Sequence, residues 1–228
     1  MSLINQALTT VSAVQGEYRV DDEDVVARVI NAVSQDMASV AGGRVWHYAA
    51  AHTYKASSYG RNRLYLPSPP LISIASAVLQ DVSGVDQHTY QATYYGIEGD
   101  GGTGILLNSQ GWHNTAFQLE GFSNFARAGS VAPLILVTYE GGWVTPWQVD
   151  PKNPSNLIGT QTRNLPYNLE EACIADSVSR LRARGRDLTL ETQTTEAASA
   201  TFRRPQRGHG GLSAQAYDTA RKYWLGRP

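Results

Sequence analysis

The stretch from Asp21 to Ala41 constrains the fold more than any other part of the chain. Val25, Val26, Val29, Ile30, Val33, Met37 and Val40 recur at helical period. A helix over 21–41 therefore carries one apolar stripe that must be buried against another element. Asp21 stands where a capping residue is needed, and Asp22, Glu23 and Asp24 load the first turn with negative charge. Free backbone N–H groups and the helix dipole favour acids there. Gly42-Gly43 ends the helix by allowing left-handed backbone.

The chain then changes character. Residues 44–60 are rich in Tyr, His and Ala, with Trp46 and Tyr48 alternating as strand residues do. A short strand at 64–66 runs into Pro67-Ser68-Pro69-Pro70, which marks a boundary or a sheet edge because proline cannot donate to a ladder. Residues 71–79, 88–95, 104–108, 115–120 and 134–140 carry β-branched, aromatic and alternating patterns separated by Gly and Asn/Asp clusters. An irregular stretch with Pro146, Pro151, Pro154 and Pro166 follows. Helix returns over 168–186, with Asn168 as candidate cap and Glu170 and Glu171 in the first turn. Cys173, Ile174, Val178 and Leu181 line one side, and Arg180, Arg182, Arg184 and Arg186 crowd the C-terminal end. The segment 187–212 is polar, and its Thr/Ala-rich part reads as extended or flexible. Ser213 can cap a last helix over 214–225.

This order predicts an α+β fold: a small helical bundle core with an inserted β-rich subdomain and an extended C-terminal tail ending in a helix. The expected divisions are 1–60 for the N-terminal helical part of the core and 61–145 for the β-rich insertion. Residues 146–187 give a loop and core helix, and 188–228 the tail and terminal helix.

Charge limits the partners. The net charge is −1, so nothing global points to nucleic acid. Residues 1–160 hold 8 Lys and Arg against 13 Asp and Glu, and residues 161–228 hold 11 against 7. An acidic front and a basic back suit contacts between copies, since opposite potentials steer association; a solvated surface with chance asymmetry accounts for it equally well. Charged residues are 17% of the chain, below the usual quarter, as expected where surface is covered by partners or where a β-rich domain has uncharged polar faces. A single cysteine, Cys173, excludes an intrachain disulfide and fits a reducing cytoplasm. Met1-Ser2-Leu3-Ile4-Asn5 lacks the basic start and apolar core of a signal peptide, and no apolar run reaches membrane-spanning length.

No catalytic constellation stands out. Gly99-Asp100-Gly101-Gly102-Thr103-Gly104 lacks the Lys-Ser/Thr of a phosphate loop and reads as a hairpin turn. Gly208-His209-Gly210-Gly211 resembles an oxyanion loop, but no Gly-x-Ser-x-Gly elbow accompanies it. His47, His52, His88, His113 and His209 show no ligand spacing, so no metal and no cofactor are expected. The carboxylate groups at 21–24 and 170–171 are explained as helix first turns. Cys173 lies on an apolar stripe and reads as core. Trp143 and Trp147, within Tyr139-Glu140-Gly141-Gly142-Trp143-Val144-Thr145-Pro146-Trp147, read as core or interface aromatics, with a sugar platform as the other possibility.

The order of elements resembles the head–tail connector (adaptor) family of tailed bacteriophages. Four stretches carry the resemblance. The first is the acidic-capped helix ending in Gly43-Arg44-Val45-Trp46, and the second Leu64-Tyr65-Leu66-Pro67 with Pro70-Leu71-Ile72-Ser73-Ile74-Ala75-Ser76-Ala77-Val78. The third is Ile135-Leu136-Val137-Thr138-Tyr139-Glu140-Gly141-Gly142-Trp143. The fourth is Asn164-Leu165-Pro166-Tyr167-Asn168-Leu169-Glu170-Glu171-Ala172, leading into the helix to Arg186. The segment Pro146–Arg163 is longer than the family's short link, and the β block is enlarged.

The resemblance implies a structural, non-catalytic virion protein made in the host bacterial cytoplasm. It implies a homo-oligomeric ring, dodecameric in the family, in the neck beneath the portal. Expected partners are the portal ring, adjacent copies and a downstream neck (stopper) or tail protein, with genomic DNA passing through without sequence recognition and no membrane. Phe202, Arg203, Arg204, Arg207, Tyr223 and Trp224 are candidates for the portal interface. Trp143, Trp147, Arg180, Arg182, Arg184 and Arg186 are candidates for contacts between subunits or with the neck. The alternatives are another neck or tail-completion protein, or a β-rich carbohydrate-binding virion module.

Overall fold

A computed structural model of the chain describes residues 2–4, 6–56, 62–80, 85–99, 102, 104–112, 134–153, 162–184, 192–195, 198–201 and 211–223. The chain divides into two compact units, one of residues 1–47 with 144–228 and one of residues 48–143. The β-rich part is thus an insertion into a discontinuous helical unit. Its boundaries fall at 47/48 and 143/144, whereas the sequence places them at 60/61 and 145/146. The reason is β1 (Ala49–Ala56), which pairs with the last strand of the block and so belongs with it.

In the helical unit, α2 (Glu23–Val40) buries Val26, Val29, Ile30, Val33 and Met37, the expected stripe. Asp22, not Asp21, is the cap: its Oδ1 accepts from Val25 N–H at 3.0 Å. Asp21 instead faces Arg19 in a solvent-exposed pair at 3.8 Å. Gly42 and Gly43 take φ of 79° and 78°, and Gly43 N–H donates to Ala38 O at 2.8 Å. A short α1 (Val11–Glu17), capped by Thr10, precedes it. Polar side chains of α2 tie down the N-terminal segment. Asn31 accepts from Ile4 N–H at 3.0 Å and donates to Ser2 O at 3.2 Å, and Ser34 Oγ accepts from Leu8 N–H at 3.2 Å.

The second long helix, α4 (Tyr167–Arg184), packs on α2. It opens directly after Pro166, whose carbonyl accepts from Leu169 and Glu170 N–H. Asn168 is therefore inside the helix and caps nothing; its Oδ1 accepts from Tyr223 OH at 2.9 Å. The last helix, α5 (Ala214–Lys222), is capped by Ser213 as expected and packs on both α2 and α4 through buried Ala216 and Ala220. Between α4 and α5, β8 (Thr192–Thr195) and β9 (Ala198–Thr201) form a hairpin.

The inserted unit holds two antiparallel sheets among the described residues. One has the order β1-β7-β3-β4, with β3 at Leu71–Gln80, β4 at Asp86–Thr89 and β7 at Leu134–Gly141. The other is β2-β6-β5, at Arg63–Tyr65, Ile105–Asn108 and Tyr95–Ile97. The strand expected at 88–95 is broken: β4 ends at Thr89, a 3₁₀ turn covers Ala92–Tyr94, and β5 follows. The glycine-rich stretch is the connection of the β5–β6 hairpin, with φ of 63° at Gly99 and 73° at Gly104. The strand expected at 115–120 lies outside the described residues.

Strict alternation in β7 buries Ile135, Val137 and Tyr139 against Leu64, Leu66, Leu106 and Trp112. Trp112 meets Tyr90 edge-on at 5.0 Å and stacks on Tyr95 at 5.9 Å. The chain leaves β7 through Gly141-Gly142, and each glycine has its own reason. A Cβ on Gly141 would lie 2.6 Å from Ser68 O and 2.9 Å from Pro70 O. Gly142 adopts φ 93° while donating to Pro70 O at 3.0 Å.

Candidate interaction surfaces

The arginines at the end of α4 do three different things. Arg180 is an internal strut. Its Nε donates to Asp176 Oδ2 at 3.0 Å, and its Nη2 donates to Asp36 Oδ2 at 2.8 Å and to Gly211 O at 3.3 Å. Asp176, buried, accepts Ser213 N–H on its other oxygen at 2.8 Å. The guanidinium thus joins α2, α4 and the start of α5, and its donors are turned inward. Arg182 is exposed, with its guanidinium over the ring of Tyr18 at 5.3 Å. Arg184 is exposed at the last helical position, where its charge suits the helix dipole. Arg186 lies outside the described residues.

Among the portal-interface candidates, Tyr223 is engaged within its own unit: its ring meets buried Trp46 edge-on at 6.2 Å and its hydroxyl donates to Asn168. Phe202, Arg203, Arg204, Arg207 and Trp224 lie outside the described residues.

Trp147 sits on α3 (Pro146–Val149), a single turn made by a capping box in which Thr145 and Gln148 exchange side-chain and backbone hydrogen bonds. This short helix was not expected, although Thr-Pro-x-Gln is a legible signal for it. Half-buried Trp147 lines an open groove of about 200 Å³ with Leu3, Val11, Ala27, Glu23 and Asp150. That volume fits one or two side chains and falls below the range of small-molecule pockets. Trp143, in the inserted unit, is half-buried, and its carbonyl accepts from Tyr48 N–H at 2.8 Å.

No sequence motif marks the entry to α4, where three side chains meet. Arg163 pairs with buried Glu170, and its guanidinium also lies 4.0 Å above the ring of Tyr167, which is 73% exposed. Thr9 donates to the same carboxylate at 3.4 Å. Burial pushes the Glu170 carboxyl up from its ordinary value, with the Arg163 charge acting against that. The spacing of Asp176 and Arg180, one helical turn, was a readable sign of their pairing. Nothing local marked Asp36 as the second acid.

Other titratable groups serve the interior. Cys173 is fully buried beside Ser34, 3.7 Å away, and desolvation pushes its thiol up to about 12. It is a core residue, as expected, held as the unreactive thiol. Arg44 is buried just past the Gly42-Gly43 turn that follows α2, and desolvation lowers its guanidinium to about 10, which leaves it charged at neutral pH. Among the described residues, no group of three or more His, Cys, Asp or Glu is placed to hold a metal ion, and no helix is long and apolar enough to cross a membrane.

The class defined by these features is an α+β protein with a helical body and an inserted two-sheet β unit. No protein-family model and no curated protein matches the chain. Among solved structures it is similar to a chain in the neck of an empty GTA particle computed with C6 symmetry, a phage-like particle. That likeness has a TM-score of 0.50 at 10% identity and covers 100% of this chain and 95% of the other. It is a likeness of fold, and it extends over both units.

Proposed function

We propose that this protein is a structural component of the neck of a tailed phage or phage-like particle, the adaptor that forms a ring beneath the portal and joins the DNA-filled head to the tail. The observation that carries this reading is the whole-chain likeness to a neck chain, with the insertion matched as well as the helical body. The order of sequence elements supports it independently, since it resembles the connector family without reference to any structure. Its function resides in its interfaces, with no catalysis and no cofactor. A ring of twelve is compatible with the C6 symmetry with which that similar neck was computed. In this reading Phe202, Arg203, Arg204, Arg207 and Trp224 meet the portal, and DNA passes through the ring without being read. With its ring and hydroxyl engaged internally, Tyr223 positions the chain that leads to Trp224.

Deleting the gene in the parent phage and imaging the lysate tests the proposal. Filled or leaking heads beside separate, complete tails are expected. Tailed particles that assemble normally but do not adsorb would overturn it in favour of a surface-binding module.

A further inference from the structure

The four-stranded sheet of the inserted unit ends in β1 on one side and β4 on the other. Edge strands present rows of backbone N–H and C=O groups that can pair with another chain. Among the described residues no further strand pairs with either of these two, and both carry exposed side chains: Ala50, Ala51, Thr53, Tyr54 and Lys55 on β1, and Asp86 and Thr89 on β4. β1 is also long, at eight residues.

Strand polarity makes these two edges complementary. Each neighbouring pair, β1·β7, β7·β3 and β3·β4, is antiparallel. With four strands, β1 and β4 therefore run in opposite directions. The β4 edge of one copy can accept the β1 edge of a second copy held in the same orientation, and the sheet continues antiparallel across the junction. This head-to-tail contact is the kind that repeats around a ring.

The side chains select a register. On β1, Tyr54 lies opposite Val137 and shares the buried face of the sheet, while Lys55 and Thr53 lie opposite Leu136 and Thr138 on the other face. On β4, His88 lies opposite Leu79, which lies opposite buried Ile135. Asp86 and Thr89 lie opposite Gln80 and Val78, whose partners on β7 are Leu134 and Leu136, so they occupy the other face. The ladder skips residue 87, a bulge that puts Asp86 and Thr89 on one face. Setting Lys55 against Asp86 then sets Tyr54 against His88 and Thr53 against Thr89, and the faces agree at all three positions. The pairs are an opposite-charge pair, an aromatic pair and a Thr–Thr pair, each a favourable cross-strand combination. Tyr54, 37% exposed, gains cover.

We propose that β1 of one copy adds to β4 of the next in the register Lys55–Asp86, Tyr54–His88, Thr53–Thr89, so that a continuous sheet joins the copies. This inference rests on the reading of the protein as a ring-forming neck component and names the contact that builds the ring.

The test uses a phage lacking the gene, complemented with full-length variants, and its purified particles. Thr53→Cys and Thr89→Cys chains supplied together should give a disulfide-linked dimer on mild oxidation. Thr53→Cys alone should give none, and one chain carrying both should give a ladder. Cys173 is fully buried and stays silent. Lys55→Asp and Asp86→Lys should each lower the yield of infectious particles about tenfold or more, because the mismatch recurs at every interface. The double variant should recover most of that loss. Lys55→Asp should melt as the wild type does, while Asp86→Lys and the double variant, which both lose the Gln80 Nε2 bond to Asp86 Oδ1 at 2.8 Å, should melt lower than the wild type by the same amount. Cross-linking of Thr53→Cys to itself means two-fold β1–β1 pairing, and its cross-linking to a different protein means another occupant; either overturns the inference. So does wild-type yield from both single charge variants. If the wild-type protein is absent from purified particles whose heads and tails are joined, the neck reading itself fails.

Discussion

Arg180 and Asp176, one helical turn apart on α4, meet at 3.0 Å, and the same guanidinium reaches Asp36 on α2 at 2.8 Å. Asp176 side-chain exposure is 3%, so the pair sits where breaking it leaves a charge poorly solvated. Its second oxygen holds Ser213 N–H at the entry to α5. Asp176→Ala should therefore cost about 2–4 kcal/mol of unfolding free energy in chemical denaturation. Asp36→Ala, which removes the more exposed acid, should cost about 1 kcal/mol or less. Protection of the α5 amides from hydrogen exchange should fall more in Asp176→Ala than in Asp36→Ala, because only Asp176 contacts the α5 cap.

The Gly141-Gly142 turn separates steric from conformational need. Gly141→Ala drives a methyl group into two backbone carbonyls, at 2.6 Å and 2.9 Å, and neither belongs to a flexible side chain. The expected loss is about 3 kcal/mol or more, seen as a fall in melting temperature or failure to fold. Gly142→Ala meets the strain of φ 93° instead and should cost about 1–2 kcal/mol.

The same contrast shows how much of the fold was legible in the sequence. The stripe of α2 was readable because five of its seven apolar positions are buried and the other two, Val25 and Val40, are half-buried, and β7 because its alternation is strict. β1 was not, since as an edge strand with mostly exposed residues it shows no buried periodicity. Cap positions slipped by one or two residues because Asp21 and Asp22 are equally good capping residues, and Pro166 removed the need for a cap at Asn168. For the surfaces, residue type told which side chains carry charge but not where the charge is spent. Arg180 and Arg184 look alike in sequence, yet one is an internal strut and the other is exposed. The β1–β4 complementarity depends on strand order and a bulge, which no local pattern encodes.

Glu170 supplies a pH dependence of defined sign. Burial raises its carboxyl in the folded protein despite Arg163, so the unfolded chain loses this proton at lower pH than the folded one. Its contribution is fully present below the ordinary glutamate value of roughly 4.3 and is lost as pH rises through the raised folded value. Relative to Glu170→Gln, the wild type should lose unfolding free energy as pH rises through that window and hold a constant difference above it. Parallel urea titrations of the two proteins measure this; an opposite slope would show that Arg163 outweighs burial.

Cys173 reports the integrity of the α2–α4 interface. Its thiol is fully buried beside Ser34 and is pushed up to about 12, so at pH 8 only about one molecule in 10⁴ carries the thiolate. An ordinary cysteine, near 8.5, is ionised in roughly a quarter of molecules at that pH. Alkylation of the folded protein should therefore run on the order of 10³-fold slower than that of the urea-unfolded chain, even before steric exclusion is counted. Loosening the interface removes both barriers together. Asp176→Ala should accordingly speed alkylation of Cys173 in the native protein, because opening then admits the reagent more often and because removing the Asp176 charge takes away part of the upward push on the thiol. A variant that loses stability without exposing the thiol would place the weakened contact away from this interface.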